Sequence, residues 1–137
     1  MQESKSLYGK EVKPRVIGYG SYKEVKWAIT SVKGIHPCAY IEDKFIKKYD
    51  NMYEIPLDVH GGITFYDYCH FNPEEENVKY IGWDYGHYND YNDYYFMPES
   101  FRIMIKEKEK KWTYDEIKDE VFKTIDKMIE VNKNEKN

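Results

Sequence analysis

The hydrophobic period of this chain changes once, and that change limits what it can fold into. Between residues 24 and 84 the apolar residues come in short β-branched or alternating runs. After Trp112 they recur at three- and four-residue steps. A sheet and one helix, each apolar on one side, must then bury those sides against each other.

The helical segment has a defined start. Thr113-Tyr-Asp-Glu116 fits a capping box, with Trp112 and Ile117 placed as a hydrophobic staple. Ile117, Val121, Ile125, Met128 and Ile129 mark one face, and Lys118, Asp119, Lys123 and Lys127 mark the other. Residues 132–137 are expected to fray and residues 1–10 to be flexible.

The rest reads as strands. Val25, Trp27 and Ile29 alternate within residues 24–32, where a short helix is the alternative. Residues 38–41, 63–68 (entered through Gly61-Gly62) and 78–83 are further strands. Residues 12–19 contain Pro14 and suggest an edge strand or a turn-rich entry. Residues 94–97 fit a short strand, and residues 101–111 permit a helix. The expected fold is α+β: one domain, a small mostly antiparallel sheet, a C-terminal amphipathic helix and a metal site.

Composition narrows the function classes. A chain of 137 residues is one domain's worth. Fifteen tyrosines and 18% aromatics argue against disorder, because disordered chains are aromatic-poor. The net charge of −4 argues against a protein that binds duplex DNA by itself, since phosphate neutralisation needs a basic surface. No apolar run approaches the length of a membrane span, and the N-terminus lacks the apolar core of a signal peptide. A cytoplasmic protein is expected. Cys38 and Cys69 then read as free thiols or metal ligands rather than a disulfide.

Four histidines supply the candidate chemistry: His36, His60, His70 and His87. Asp84 and His87 flank a turn at Gly86. If the 63–68 and 78–83 strands pair antiparallel, His60 comes near both. Two imidazoles and a carboxylate are donors that zinc accepts. The fourth ligand would be His36 or Cys38, with Cys69 and His70 next. The spacing matches no specific metal motif, and isolated structural histidines are the plainer reading of the residues alone. The zinc deaminase signature, the GxSxG elbow and the Walker loop are all absent.

The densest aromatic stretch is WDYGHYNDYNDYYF at residues 83–96, with five tyrosines among three aspartates. Exposed tyrosine suits an interface, because it offers area at low rotamer cost. Tyr85, Tyr88, Tyr91 and Tyr94, with Glu74 and Glu75, are the expected partner-binding residues. An acidic aromatic face complements a basic protein channel.

The pieces Asp58-Val-His-Gly-Gly-Ile-Thr-Phe65 and Tyr80-Ile-Gly-Trp-Asp-Tyr-Gly-His87 with Asp90, followed by a Trp-led helix, resemble a family of small phage and prophage proteins. Members carry VHGG-x-T-[YF], then GFD-x-AH-x-GD, and an upstream C-[GA]-Y-[VI] like Cys38-Ala-Tyr-Ile41. The likeness covers about residues 36–130. Trp83, Gly86 and Asn89 depart from the pattern, and the His, Asp and His remain. The family includes inhibitors of the type II RNA-guided CRISPR effector nuclease, at least one of them zinc-containing. The resemblance implies a structural zinc held by His60, Asp84, His87 and His36. It implies a monomer in the host cytoplasm, acting by direct binding to the host nuclease without contacting nucleic acid or membrane. Another reading is a metal-dependent hydrolase of a nucleotide or signalling molecule, with Asp58 or Asp90 as base. A third is an interaction module without metal.

Overall fold

The computed structural model describes residues 4–5, 11–12, 15–31, 36–44, 49–86 and 112–135. Two short strands, β1 (Ser4–Lys5) and β2 (Glu11–Val12), pair antiparallel. The main sheet holds β3 (Arg15–Tyr22), β4 (Val25–Ser31), β5 (Pro37–Glu42), β6 (Phe65–Cys69) and β7 (Val78–Asp84). Its order is β3-β4-β5-β7-β6, antiparallel at every pairing. A 3-10 turn spans Met52–Glu54, and an α-helix, α1 (Tyr114–Glu135), closes the described part of the chain.

The strands form where alternation or aromatic runs called for them, and the 63–68 and 78–83 segments do pair antiparallel. Residues 12–19 differ in detail. The sheet takes Arg15–Tyr22 as a full edge strand, with Pro14 before its first residue. A proline there costs no ladder hydrogen bond. The pairing slips between Val16 and Gly18, leaving Ile17 as a bulge. The helix also runs further than expected, through residues 132–135. Once nucleated, each added residue gains a backbone hydrogen bond, so a polar tail can stay helical. The expected elements at 94–97 and 101–111 lie outside the described residues.

Paired residues across an antiparallel sheet share a face. One face carries Val25, Trp27, Ile29, Ala39, Ile41, Ile81 and Trp83, all buried. Against it pack Ile117, Val121, Ile125 and Met128 of α1. The predicted helix stripe is thus the core stripe, and the capping box closes as expected: Glu116 N–H donates to Thr113 Oγ1 at 3.2 Å, and Thr113 N–H donates to Glu116 Oε1 at 3.1 Å.

A third layer element has no ladder of its own. On the way from β5 to β6, residues 55–59 alternate, with Ile55, Leu57 and Val59 buried and Pro56 and Asp58 exposed. They join the same core and complete its cover beside the helix.

The other face carries Ala28, Thr30, Cys38, Tyr40, Tyr80, Gly82 and Asp84. Residues 70–77 fold back toward it and bring the Phe71 ring against Tyr40 (4.7 Å) and Tyr80 (4.9 Å). Gly82 is required here: a Cβ would lie 2.7 Å from Tyr40 Cδ1 and 3.0 Å from Phe65 Cβ.

The β3–β4 turn is unusual. Lys23 and Glu24 both have positive φ, 50° and 67°, the geometry that hairpins normally give to Asn-Gly. Lys23 Nζ bonds Asp126 of α1 at 2.7 Å, and Lys44 Nζ donates to the Glu24 carbonyl at 2.8 Å. These contacts hold two side-chain-bearing residues in the left-handed region. Glu24→Gly removes the steric cost without touching either contact. It should raise stability by about 0.5–1 kcal/mol, read as a higher midpoint in urea with an unchanged slope.

Candidate functional site

His60 sits in a turn closed by Gly62 N–H donating to the Val59 carbonyl at 2.9 Å. Gly61 and Gly62, at φ 70° and 86°, supply the left-handed backbone that turn needs. The turn delivers the His60 ring to the helix side of the sheet. There it stacks on Tyr85 (5.0 Å between centroids, 7° between planes) and leans on Trp112 at 4.8 Å.

Asp84 faces the opposite way. It ends β7 directly across from Cys38, and its Oδ1 accepts the Gly86 N–H at 3.0 Å. His36 joins that corner, its Nδ1 3.7 Å from Cys38 Sγ. Its ring lies so close to Gly86 that a Cβ there would be 2.4 Å from Cδ2.

His36 and Asp84 share a corner with Cys38, while His60 is held by aromatic rings on the other side. His87 lies outside the described residues. Among the described residues no three His, Cys, Asp or Glu side chains come together to hold a metal ion. Those residues do not by themselves form the cage the resemblance implies. Cys69 and His70 belong elsewhere: Cys69 pairs with Val78 at the far end of β7, and His70 Nδ1 contacts Asn77 Oδ1 at 2.6 Å.

Neither thiol suits nucleophilic work at neutral pH. Burial, reinforced by the Asp84 carboxylate, pushes Cys38 up to about 11. Burial likewise pushes Cys69 up to about 11. The thiolate, not the thiol, is the nucleophile.

The polar node beside His60 centres on Glu120, a residue the sequence reading passed over. Its Oε1 accepts from Trp83 Nε1 at 3.2 Å and from the Tyr85 hydroxyl. Its Oε2 accepts the His60 backbone N–H at 3.2 Å. One carboxylate thus ties helix, sheet end and turn together. A signal for it existed. Glu120 lies three residues after Ile117 and four before Thr124, on the buried side of the helix, where a charge needs partners.

The expected partner-binding residues also divide. Tyr85, expected on an exposed face, is fully buried. Its position after Asp84 turns it to the core side, where Trp83, Trp112 and Glu120 surround it. Tyr88, Tyr91 and Tyr94 lie outside the described residues. Glu74 is exposed as expected, whereas Glu75 is largely covered, accepting the Tyr80 hydroxyl at 2.6 Å with Lys26 Nζ at 3.9 Å.

No protein-family model, curated protein or solved structure matches this chain. No helix among the described residues is long and apolar enough to cross a membrane.

Two outcomes follow from this geometry. Glu120→Ala deletes the acceptor shared by Trp83, Tyr85 and the His60 amide, and should cost about 2–4 kcal/mol in urea unfolding. Glu120→Gln keeps an acceptor oxygen and should cost less. The raised thiols make the second outcome one of pH. Their contribution is fully present below pH 9, where the unfolded thiols are also protonated. It is lost as pH rises through about 11. The 13C shifts of the Cys38 and Cys69 Cβ atoms should titrate near pH 11 in the folded protein and near pH 9 in denaturant.

Proposed function

We propose that this protein acts by binding another protein, and that its partner presents a basic surface. The observation that carries this reading is the character of its exposed apolar side chains. Tyr19 (59% exposed), Ile17 (44%), Tyr53 (85%) and Tyr68 (64%) stand out on a molecule of net charge −4. Tyr53 is next to exposed Glu54, and Tyr19 lines a cleft with Glu74 and Glu75. Large aromatic contacts rimmed by acids are what a basic interface selects.

The resemblance to phage proteins supplies the particular partner within this proposal: a type II RNA-guided effector nuclease. Such nucleases hold their heteroduplex in a positively charged channel and move domains before cutting. A small acidic protein seated there would block loading or activation. The raised thiols favour this reading over a cysteine-dependent enzyme.

The zinc of the resemblance belongs to the same proposal, through a ligand set that includes His87. Protein purified without added metal should contain about one zinc per chain and melt on chelation; less than about 0.2 would remove zinc from the proposal.

The central test is cleavage by purified nuclease with guide and target. Excess protein should suppress cutting and co-elute with the nuclease, and both effects should weaken as salt rises. Undiminished cutting with no co-elution rules out that partner.

A further inference from the structure

Clefts of similar size on the two sides of the sheet differ in their chemistry. One, about 380 Å³, runs beside α1 and is lined by Asp58, Trp112, Glu116, Asp119, Glu120 and Lys123, among others. Its carboxylates are mostly committed. Glu116 caps the helix, Glu120 holds Trp83 and Tyr85, and Asp119 pairs with Lys123 at 2.9 Å. None of the four exposed large apolar side chains lines it.

The second cleft, also about 380 Å³, lies on the sheet face away from the helix. Tyr19 and Ser21 of β3, Lys26 of β4 and Tyr80 of β7 form its floor and one side, and Phe71 and Glu74 form the other. That volume suits one large side chain or a small ligand.

Its walls are preformed. Phe71 packs edge-on against Tyr80. Asn72 organises the loop, its side chain accepting the Glu74 N–H at 3.1 Å and its carbonyl accepting the Glu75 N–H at 2.9 Å. A wall already ordered loses little entropy when a partner arrives.

Its charges do not cancel. Glu75 and Lys26 face each other and neutralise one another, with Tyr80 donating to the same carboxylate. Glu74 stands exposed at the rim with no ion pair among the described residues. The uncompensated charge of an aromatic cleft is therefore negative. Tyr19 lines it with its ring largely in solvent, and bulged Ile17 lies two residues away on the same edge strand.

We infer that this cleft receives an arginine side chain of the basic partner. A planar guanidinium can stack on an exposed tyrosine face while its N–H groups reach a carboxylate at the rim. Ile17 and Tyr19 would make the surrounding apolar contact. This inference deepens the proposed function and rests on its reading of a basic protein partner.

The test has one arm that needs no partner. The labelled full-length protein is titrated by NMR with the peptide acetyl-Gly-Arg-Gly-amide and with its citrulline counterpart, which keeps the shape and loses the charge. Saturable shifts at the amides of Tyr19, Ser21, Asn72 and Glu74, for arginine alone, are expected. Glu74→Gln should abolish them. Shifts confined to the Asp58–Glu116 cleft, equal shifts with citrulline, or none at all overturn the inference.

The second arm uses nuclease binding. Tyr19→Ala and Glu74→Lys should each weaken affinity about tenfold, while Glu130→Lys, the same charge change on the exposed side of α1, should not reproduce the loss. Both cleft residues are exposed, so circular dichroism should stay unchanged. Full inhibition by both variants overturns the cleft and leaves the proposed function standing. A wild-type protein that binds arginine but not the nuclease does the reverse.

Discussion

The arrangement depends on one carboxylate placed where a hydrophobic side chain would be expected. Glu120 sits on the inner side of α1 and gathers the Trp83 indole, the Tyr85 hydroxyl and the His60 amide. The donors come from two separate stretches of chain, and each would be costly to bury unpaired. Trp83 lies in β7 and Tyr85 just after it, the amide belongs to the 59–62 turn, and the carboxylate rides on the helix. Apolar packing alone would let the helix slide along the sheet. A shared hydrogen-bond acceptor fixes one register.

That fixed register explains how the sheet acquires two different faces. The core face is closed twice, by α1 and by the 55–59 segment. The other face receives the 70–77 loop, with Phe71 wedged against Tyr40 and Tyr80. Strand order matters here. Because β7 enters between β5 and β6, Gly82 lies in mid-sheet between Tyr40 and Phe65, and only a residue without a side chain fits. The loop, pinned by Glu75, then rises beside β3 and β4 to leave a cleft instead of a flat sheet.

Much of the fold was legible in the chain because it rests on local patterns. Period-two runs became strands, the 63–68 and 78–83 segments paired, and the Thr113–Glu116 box opened the helix where expected. The candidate site was less legible. Strand pairing suggested that His60, Asp84 and His87 converge, with His36 or Cys38 as the fourth ligand. Strand alternation sends Asp84 to one face and Tyr85 to the other, the His60 ring stacks on Tyr85, and His87 lies outside the described residues. The same alternation buries Tyr85, which composition had marked as surface.

Sequence by itself determined the class of structure: a sheet of short strands, one amphipathic helix, and more aromatic area than a core of this size needs. These follow from periodicity and capping, which act between residues a few positions apart. Tertiary structure alone decided which side chains meet. Glu120 becomes a node only when β7, the 59–62 turn and α1 arrive together, and Tyr19 lines a cleft only because the 70–77 loop folds toward its sheet face. Such meetings are set by strand order and by the side of the sheet each residue takes. A shift of one residue in pairing reverses that side, so composition and spacing do not fix it.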